Sequence, residues 1–449
     1  MNYADAVAYL QSRINYEVVG LPDASDLRLG RMSSLLARLG DPHRRYQVVH
    51  VAGTKGKGST ATMIAELLRA TGARVGLHLS PHFDRIEERM RVDGESPTPE
   101  RFASTIKSVS EAAEALDRIR TTGEANLTFF EITVAAALEH FARSKVDWAV
   151  VEVGVGGRLD ATNVVAPAVS VISEIGLDHT KTLGETIAAI AAEKAGIIKP
   201  GTPALTSATH PEAVEVIERY SAENDAPLYR LGRDFRYEYQ SRGWDGSHVV
   251  VETGKELRQF DWRLLGAHQA RNAALAWAAF DVVAEKFRLE SPPADTLKDL
   301  RMPGRLEVIQ REPFIVILDV AHNEPSAVAL AEFLRMVKKG AGPRVLIFAA
   351  SRDKNWPAML ERLVDQFDMI VATQYRQNAR AAPVTQLVER LGRLGVIPIV
   401  TVGPQEAWAA ALKQVAGYRE GLICVAGSFF LAAEIRPLLL QSGGYGRIE

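Results

Sequence analysis

The sequence predicts an α/β protein. We expect an N-terminal P-loop-type mononucleotide-binding domain with a small antiparallel β subregion, plus a smaller C-terminal Rossmann-like α/β domain. Three observations support this. Short apolar runs alternate with helical patterns in the first 200 residues, a glycine-rich loop follows the first apolar run, and the alternation restarts after a Pro-Gly turn. Because 449 residues exceed what one core usually supports, we divide the chain into residues 1–302 and 303–449.

The first domain is expected to alternate buried strands with helices, as a parallel sheet requires. Apolar spacing predicts an amphipathic helix within residues 1–20. The elements predicted after it are a strand at Val48–Ala52, a helix at Ser59–Ala70, a strand at Arg74–Leu79, a helix at Phe130–Phe141, strands at Trp148–Val153 and Val169–Ser173, and a helix at Glu185–Ile198 that ends before Gly201.

The pattern changes between Tyr229 and Trp262, where aromatic and β-branched residues alternate with polar ones. Turn signals at Asp245-Gly246 and Thr253-Gly254 predict antiparallel strands there, and Leu264–Phe287 is predicted to be helical. The second α/β pattern then predicts strands at Phe314–Val320, Arg344–Ala350, Met369–Thr373 and Leu422–Ala426.

Composition excludes several classes of function. The formal net charge of -2 gives no electrostatic argument for binding nucleic acid or an anionic membrane. Cys424 is the single cysteine, so an intrachain disulfide and a cysteine-based metal cluster are excluded. The first residues lack a signal-peptide pattern, and no apolar run approaches the ~20 residues of a membrane span. We therefore expect a cytoplasmic protein.

The loop Gly53–Ser59 has the residue types of a phosphate cradle. Glycines let backbone N–H groups approach phosphates, Lys57 neutralises charge, and the following helix points its positive end at the anion. The loop is shorter than the common G-x-x-x-x-G-K-[ST] spacing and carries an extra glycine. A glycine-rich turn that binds nothing is the alternative, and the strand–loop–helix context favours the cradle.

Further candidates lie near predicted strand ends, where ligands bind in open α/β sheets. A carboxylate at Glu152 suits Mg²⁺, although a buried salt bridge is the alternative. His179 follows the next predicted strand, and a loop histidine is most often simple polar surface. Lys194 lies among Ala and Ile, where a lowered pKa would allow a carbamate to form with CO₂, but the local sequence favours a lysine that reaches the surface.

A last group surrounds the domain junction. It includes Asn272 in a helical stretch, Arg305 beside a Pro-Gly hinge, and Asp319 and His322 at the end of another buried strand. An arginine at a hinge could reach a nucleotide across a cleft. Each of these signals is weak when taken singly.

Taken together and in order, these stretches resemble the folylpolyglutamate synthase/dihydrofolate synthase family of the Mur ligase superfamily. The resemblance covers nearly the whole chain and rests on the combination of motifs. The matching stretches are Gly30–Met32, His50–Thr60, Leu79–Phe83, Glu87–Arg91, Thr128–Glu131, Glu152–Asn163, Gly176–His179, Glu193–Lys199, His268–Asn272, Met302–Arg305, Leu318–Asn323, Ser351–Lys354 and Gly427–Leu431.

The resemblance implies roles for the matching residues. Lys57, Lys194 and His179 would be catalytic, with Lys194 carbamylated near a second metal, and Ser80, Glu152 and His179 would hold two Mg²⁺ ions. The implied nucleotide contacts are Gly53, Thr54, Gly56, Lys57, Gly58, Ser59, Asn272, Arg305, Asp319 and His322. The implied pteroate contacts are Thr128, Phe129, Phe130, Glu131, Leu159, Asp160 and Ala161, with Ser25–Leu27 as additional candidates.

The implied reaction is an ATP-dependent ligation. ATP would phosphorylate a carboxylate of dihydropteroate or tetrahydrofolate, and the amine of L-glutamate would displace the phosphate from the acyl phosphate. The C-terminal domain would close about a hinge near Gly304. ATP and Mg²⁺ are the expected cofactors, a monovalent cation is a further candidate, and the chain is expected to be a monomer.

Two other readings stay open. One is a Mur-type ligase that adds an amino acid to a cell-wall precursor, although about 50 residues before the loop are few for the extra domain such a substrate needs. The other is an inactive ATP-binding regulatory protein, against which the retention of Lys57, Glu152, His179 and Lys194 argues. Asp160-Ala161 resembles bifunctional members of the family, but one position leaves bifunctional and extension-only activity undecided.

Overall fold

The structure is a computed structural model that describes residues 1–19, 29–119 and 126–441. Backbone contacts group the chain into two compact units. Unit 1 comprises Met1–Glu238, Val250–Phe260 and Ala270–Leu297, and unit 2 comprises Tyr239–Val249, Asp261–Gln269 and Lys298–Glu449. The division at residues 302 and 303 stays a prediction. Within the described ranges, no helix combines the length and the apolar character that crossing a membrane requires.

Unit 1 contains a seven-stranded sheet. Its strands are β1 (Gln47–Ala52), β2 (Val75–His78), β3 (Arg91–Val92), β4 (Trp148–Glu152), β5 (Val169–Ile172), β6 (Ala204–Thr206) and β7 (Leu228–Arg230). The order is β3-β2-β4-β1-β5-β6-β7, and every neighbouring pair is parallel except β2 and β3. Because β1 lies between β4 and β5, the loops that follow these three strands emerge side by side at the carboxyl edge.

Helices connect these strands and extend to residue 287. Their bounds are α1 (Tyr3–Gln11), α2 (Tyr16–Val19), α3 (Leu29–Arg38), α4 (Lys57–Ala70), α5 (Pro99–Ile119), α6 (Phe129–Arg143), α7 (Thr180–Leu183), α8 (Ile187–Ala195), α9 (Pro211–Glu223) and α10 (Ala267–Phe287). One apolar cluster unites buried residues of α1, α3, α5 and α6, and another unites those of α8 and α9 with the ends of β1 and β5. The predicted mononucleotide-binding architecture is therefore confirmed.

A three-stranded sheet has the order β10-β9-β8, with β8 at Phe235–Ser241, β9 at Ser247–Thr253 and β10 at Leu257–Trp262. Connections this short can join only antiparallel neighbours, as predicted. Buried residues alternate with partly exposed ones along β9, which matches the period-2 sequence pattern. The prediction began this region too early, because Tyr229 lies on β7, which pairs in parallel with β6.

Unit 2 contains a six-stranded sheet in the order β11-β12-β16-β13-β14-β15, in which only β11 and β12 pair antiparallel. The four strands predicted from the sequence are present, and β11 and β15 were not predicted. The bounds are β11 (Glu307–Gln310), β12 (Ile315–Leu318), β13 (Arg344–Phe348), β14 (Met369–Ala372), β15 (Ile399–Val400) and β16 (Leu422–Ala426), with helices α11 (Glu324–Met336), α12 (Trp356–Leu363), α13 (Val384–Arg393), α14 (Pro404–Val415) and α15 (Phe429–Gln441).

The helix predicted at Glu185–Ile198 is shorter than expected. Only α8 lies within this region: it begins at Ile187, after the separate short helix α7, and ends at Ala195 with Gly196 as its C-cap. A Cβ built on Gly157 would lie 2.6 Å from the carbonyl oxygen of Glu193, so the end of α8 packs directly on the loop that follows β4. This close approach brings Lys194 to the carboxyl edge of the sheet.

Candidate active site

The loop between β1 and α4 has a backbone that requires glycine. Gly53 and Gly56 have positive φ angles of 146° and 80°. A Cβ on Gly53 would overlap the hydroxyl of Ser173, and a Cβ on Gly56 would overlap the side-chain amide of Asn272. Helix α4 begins at Lys57, so its unbonded N-terminal amides belong to this loop. The geometry favours a phosphate cradle over a turn that binds nothing.

Hydrogen bonds anchor the loop to the segment after β5. The carbonyl of Glu174 accepts from the backbone N–H groups of Thr54 (2.8 Å) and Lys55 (3.2 Å). The Thr54 hydroxyl donates to the Gly176 carbonyl at 3.1 Å, and the Ser173 hydroxyl donates to the Lys55 carbonyl at 2.6 Å. The loop is thus fixed before a ligand binds.

The start of α10 brings Asn272 to the same loop. Asn272 is buried, and its amide lies beside Gly56. The preceding residue, Arg271, forms an ion pair with the carboxylate of Glu174. One residue therefore holds both parts of this arrangement, since the Glu174 carbonyl holds the loop and its carboxylate holds α10.

Glu152 ends β4 beside two other predicted site residues. Its Oε2 accepts the backbone N–H of Ser80 at 2.9 Å, and its Oε1 would lie 3.4 Å from a Cβ built on Gly58. Glu152 as a whole is only 5% exposed. The structure thus brings Ser80, Glu152 and the loop together.

Lys194 is buried at the end of α8, with 4% of its surface exposed. The expectation from local sequence that this lysine reaches the surface is therefore wrong. Burial, reinforced by the charge of Lys57, lowers the pKa of Lys194 to about 7, although Asp178 and Asp160 act in the opposite direction. A large fraction of this amine is neutral near pH 7, and the neutral amine is the form that reacts with CO₂.

His179 follows β5 and precedes α7. Its φ of 50° places it in the left-handed region, and its backbone N–H donates to Asp178 Oδ1 at 2.9 Å. Its imidazole is partly exposed. Asp178 is one of the charges that act on Lys194, which places this turn near the lysine.

The side chains at this edge fit Mg²⁺ only as part of a site that phosphate and water would complete. Across the described part of the chain, no cluster of three or more His, Cys, Asp or Glu side chains could hold a metal by itself. Mg²⁺ is usually held by one or two carboxylates together with phosphates and water. Glu152 offers one such carboxylate, and Ser80 contacts it through its backbone N–H.

The predicted pteroate residues Thr128 and Glu131 form a capping box at the start of α6. Thr128 Oγ1 accepts the Glu131 N–H at 3.2 Å, and Glu131 Oε2 accepts the Thr128 N–H at 2.8 Å. Glu131 Oε1 also pairs with Arg31 at 3.1 Å. The spacing T-x-x-E is a known capping signal that the sequence analysis missed. The additional candidates Ser25–Leu27 lie outside the described residues.

The two phenylalanines of this stretch differ in environment. Phe129 is buried, with the guanidinium of Arg89 5.2 Å from its ring centroid. Phe130 packs over Gly154, where a Cβ would overlap its ring, and its ring centroid lies 6.3 Å from that of His78. Phe130 therefore lies beside the glycine-rich loop after β4.

Asp160 shapes that glycine-rich loop. Its Oδ2 accepts the Val155 N–H at 2.9 Å, and its Oδ1 accepts the Thr162 N–H at 3.0 Å. Burial raises the pKa of this carboxyl, and the hydrogen bonds from Thr162 and Val155 oppose that effect. Leu159 and Ala161, on either side, are partly buried. A pteroate contact from these three residues stays a prediction.

Unit 2 carries the remaining predicted residues. Asp319 follows β12, and its two carboxylate oxygens accept the backbone N–H groups of Leu306 and Ala321, each at 2.8 Å. Burial raises the pKa of Asp319, against the effects of the Leu306 N–H and of Arg305. His322 Nδ1 lies 3.0 Å from the Val320 carbonyl oxygen and donates to it. These residues meet at the carboxyl edge of their own sheet.

A buried arginine near Ser80, Arg89, belongs to the matching stretch Glu87–Arg91 but was given no role from the sequence. Arg89 has a fully buried side chain that makes two contacts with the carboxylate of Glu17, at 2.6 and 2.8 Å. Its Nε donates to His82 Nδ1 at 2.8 Å. The signal was weak, because nothing in the local sequence links Arg89 to a partner 72 positions away.

Two known protein domains match this chain, one in each part of the α/β pattern. Residues 51–280 match the Mur ligase middle domain, and residues 304–429 match the Mur ligase glutamate ligase domain. The fold and the two matches define a ligase of the Mur superfamily.

Individual relatives show which family within this superfamily the chain resembles. A folylpolyglutamate synthase of Lacticaseibacillus casei is 36% identical over 98% of this chain and 99% of its own length. A dihydrofolate synthase/folylpolyglutamate synthase of Bacillus subtilis is 38% identical over 80% of this chain and 82% of its own. A folylpolyglutamate synthase solved with AMPPCP and folate covers 98% of this chain and 100% of its own, with 34% identity and a TM-score of 0.82. The chain belongs to the folylpolyglutamate synthase/dihydrofolate synthase family, as the sequence motifs predicted.

Proposed function

We propose that this chain is an ATP-dependent ligase that adds L-glutamate to dihydropteroate, to the γ-carboxylate of tetrahydrofolate, or to both. One observation carries the proposal: the glycine loop with Lys57, the carboxylate of Glu152 and the buried amine of Lys194 all lie at the carboxyl edge of the seven-stranded sheet. Relatives with both activities in their names, and one solved with an ATP analogue and folate, support it.

In this proposal the loop binds the phosphates of ATP. The N-terminal amides of α4 and the glycines Gly53, Gly56 and Gly58 approach the phosphate oxygens, and Ser59 supplies a hydroxyl group. Thr54 is proposed to belong to the same site through its place in the loop, because its hydroxyl is bonded to Gly176. Lys57 neutralises charge on the γ-phosphate, and Asn272 bounds the loop from α10. From unit 2, Arg305, Asp319 and His322 are proposed to contact the nucleotide.

Mg²⁺ would be held by Ser80, Glu152 and His179. When bound, it would neutralise negative charge on the phosphates. Lys194 is proposed to be carbamylated, because its buried amine loses its proton near pH 7 and its carbamate would give an anionic oxygen donor at this edge. A monovalent cation is a further candidate cofactor.

The chemistry has two steps. A carboxylate oxygen of the substrate attacks the γ-phosphorus of ATP, ADP leaves, and an acyl phosphate forms. The amine of L-glutamate then attacks the acyl carbon, inorganic phosphate leaves, and the amine nitrogen loses a proton. No covalent enzyme nucleophile is required, so positioning and electrostatics would supply the rate enhancement.

The pteridine ring of the substrate is proposed to stack near Phe130, whose ring lies beside the glycine-rich loop. Thr128, Phe129, Glu131, Leu159, Asp160 and Ala161 are proposed to shape or contact this part of the site. We further propose that residues 1–302 and 303–449 are the two functional domains, and that the chain acts as a monomer.

The test is ATP-dependent phosphate release with L-glutamate, with 7,8-dihydropteroate and tetrahydrofolate compared as acceptors. Turnover with both acceptors supports a bifunctional ligase, and turnover with tetrahydrofolate alone restricts it to extension. Lys57→Ala should abolish turnover and keep the fold. If ATP binds but neither acceptor is used, the folate proposal is wrong.

A further inference from the structure

The backbone around Arg305 adopts an uncommon turn. Gly304 and Leu306, on either side of Arg305, have positive φ angles of 66° and 47°. The left-handed region is unusual for a bulky residue such as leucine, and it persists only where neighbouring groups hold it. Leu306 is 2% exposed. The backbone on both sides of Arg305 is thus held by its surroundings.

Two carboxylates and one backbone amide hold this turn. Glu307 Oε2 accepts the Gly304 N–H at 2.8 Å, and Asp319 Oδ2 accepts the Leu306 N–H at 2.8 Å. The Val320 N–H donates to the Gly304 carbonyl at 2.8 Å. Asp319 was a predicted site residue, but Glu307 was not.

The Glu307 carboxylate is itself held by the C-terminal helix. Arg436 on α15 lies 2.9 Å from Glu307 Oε1 through Nη2 and 3.2 Å from Oε2 through Nε. The side chains of both residues are less than one-fifth exposed. A two-nitrogen contact fixes the orientation of a carboxylate as well as its charge.

We propose that Glu307 and Arg436 are positioning residues for nucleotide binding. Arg436 orients the Glu307 carboxylate, this carboxylate fixes the Gly304 N–H, and the turn then aims Arg305. The inference rests on the proposed function only in giving Arg305 a nucleotide contact. Loosening the pair should therefore weaken nucleotide binding and leave folate binding unchanged.

The test uses the full chain with Arg436→Gln, Glu307→Gln and Arg305→Gln, singly and combined. Calorimetry gives the dissociation constant of ADP, and kinetics give KM for ATP and for the folate acceptor. Arg436→Gln and Glu307→Gln should each weaken ADP binding about tenfold, with KM for the acceptor within about twofold. Adding Arg436→Gln to Arg305→Gln should have little further effect, because both act through Arg305.

Two further variants separate positioning from stability. Arg436→Lys keeps the charge but not the two-nitrogen contact, so its ADP affinity should be intermediate, and it replaces Arg436→Gln if that variant does not fold. Lys339→Gln is the matched control. Lys339 pairs with Asp368 at 2.6 Å, and Asp368 accepts the Arg344 N–H at 2.8 Å, at the opposite edge of the same sheet. This control should bind ADP as the unmodified protein does.

ADP affinity unchanged in both Arg436 variants would overturn the inference, as would effects of Arg305→Gln and Arg436→Gln that simply add. A lowered melting temperature without weaker ADP binding would show a structural role only, and would also overturn it. Failure of the unmodified protein to use a folate acceptor would contradict the proposed function alone, since ADP affinity is measured without acceptor.

Discussion

At the scale of residues, the environment of Lys194 decides its chemistry. Burial and the nearby Lys57 hold its pKa at about 7, and the backbone of Gly157 packs against the end of its helix. An exposed lysine would stay protonated at neutral pH and would react poorly with CO₂. The same amino acid therefore loses its proton near pH 7 here and keeps it on a surface.

Replacing Lys194 tests the proposed carbamate. Lys194→Ala should lose most ligase activity, because the anionic oxygens of the carbamate are lost. Short carboxylates such as acetate or propionate should restore part of the activity by occupying the vacated space. The matched control is Lys199→Ala, a partly buried lysine that donates to the Asn163 carbonyl at 3.1 Å and should not be rescued by added carboxylates. A mass spectrum showing unmodified lysine in an active preparation would contradict the carbamate.

The pKa of Lys194 also predicts a pH dependence of stability. The folded-state pKa is about 7 and the ordinary value is 10.5, so between these values the unfolded chain binds more protons than the folded protein. Stability should therefore rise with pH in this window, by at most about 1.4 kcal/mol per pH unit from this group. Urea unfolding of the protein and of Lys194→Met, in CO₂-depleted buffer from pH 6.5 to 10, measures the difference. A difference that does not vary with pH would exclude the lowered pKa.

At the scale of elements, α6 depends on its first residues. Thr128 and Glu131 satisfy each other's backbone N–H groups, and Glu131 also pairs with Arg31. Thr128→Ala should lower the free energy of unfolding by about 1 kcal/mol, because one N-terminal amide loses its acceptor. Thr128→Ser keeps the acceptor and should change stability little. Urea midpoints compare the two variants, and equal midpoints would rule out the cap as a source of stability.

The contact between α8 and the loop after β4 has no room for a side chain at Gly157. A Cβ there would lie 2.6 Å from the Glu193 carbonyl oxygen and 3.0 Å from Lys194 Cα, and backbone atoms cannot give way cheaply. Gly157→Ala should destabilise the fold by about 1–3 kcal/mol and lower turnover on the order of 10²-fold by displacing Lys194. Gly254→Ala is the control, since a Cβ there meets nothing within 4 Å. Wild-type turnover in Gly157→Ala would show that Lys194 tolerates displacement.

At the scale of the whole molecule, nucleotide binding should stabilise the folded chain by mass action. AMPPCP at about 100 times its dissociation constant should add about 2.7 kcal/mol to the free energy of unfolding. Lys57→Ala should reduce this stabilisation at the same ligand concentration, because affinity falls. Melting curves with and without ligand measure it. Identical ligand-induced shifts in both proteins would remove Lys57 from the nucleotide site.

The sequence predicts central strands well and edge strands poorly. β1, β4, β13 and β16 are buried along nearly their whole length, so their apolar runs are continuous. The unpredicted β15 is a two-residue edge strand and leaves little pattern to detect. The assignment of residues 239–249 and 261–269 to unit 2 depends on contacts between distant segments, which local patterns do not encode.

The residues of the candidate site also fall into those that local sequence reveals and those that it does not. Motifs with strict local geometry, such as Gly53–Ser59 and the end of β4 at Glu152, are visible in the sequence. Residues that act through distant partners are not, as Arg271 shows, whose ion pair with Glu174 spans 97 positions. The burial of Lys194 was hidden for the same reason, because Gly157, which packs against the end of its helix, lies 37 residues earlier in the chain.

The double attachment at Glu174 has a consequence for how the protein tolerates genetic variation. The loop Gly53–Ser59 is held by hydrogen bonds to the main-chain carbonyl of residue 174. Every amino acid has this carbonyl, so a substitution at position 174 leaves the acceptor in place. The link to Arg271 uses the side chain and is lost with almost any replacement. One position thus combines an attachment whose acceptor every substitution retains with another that most substitutions remove.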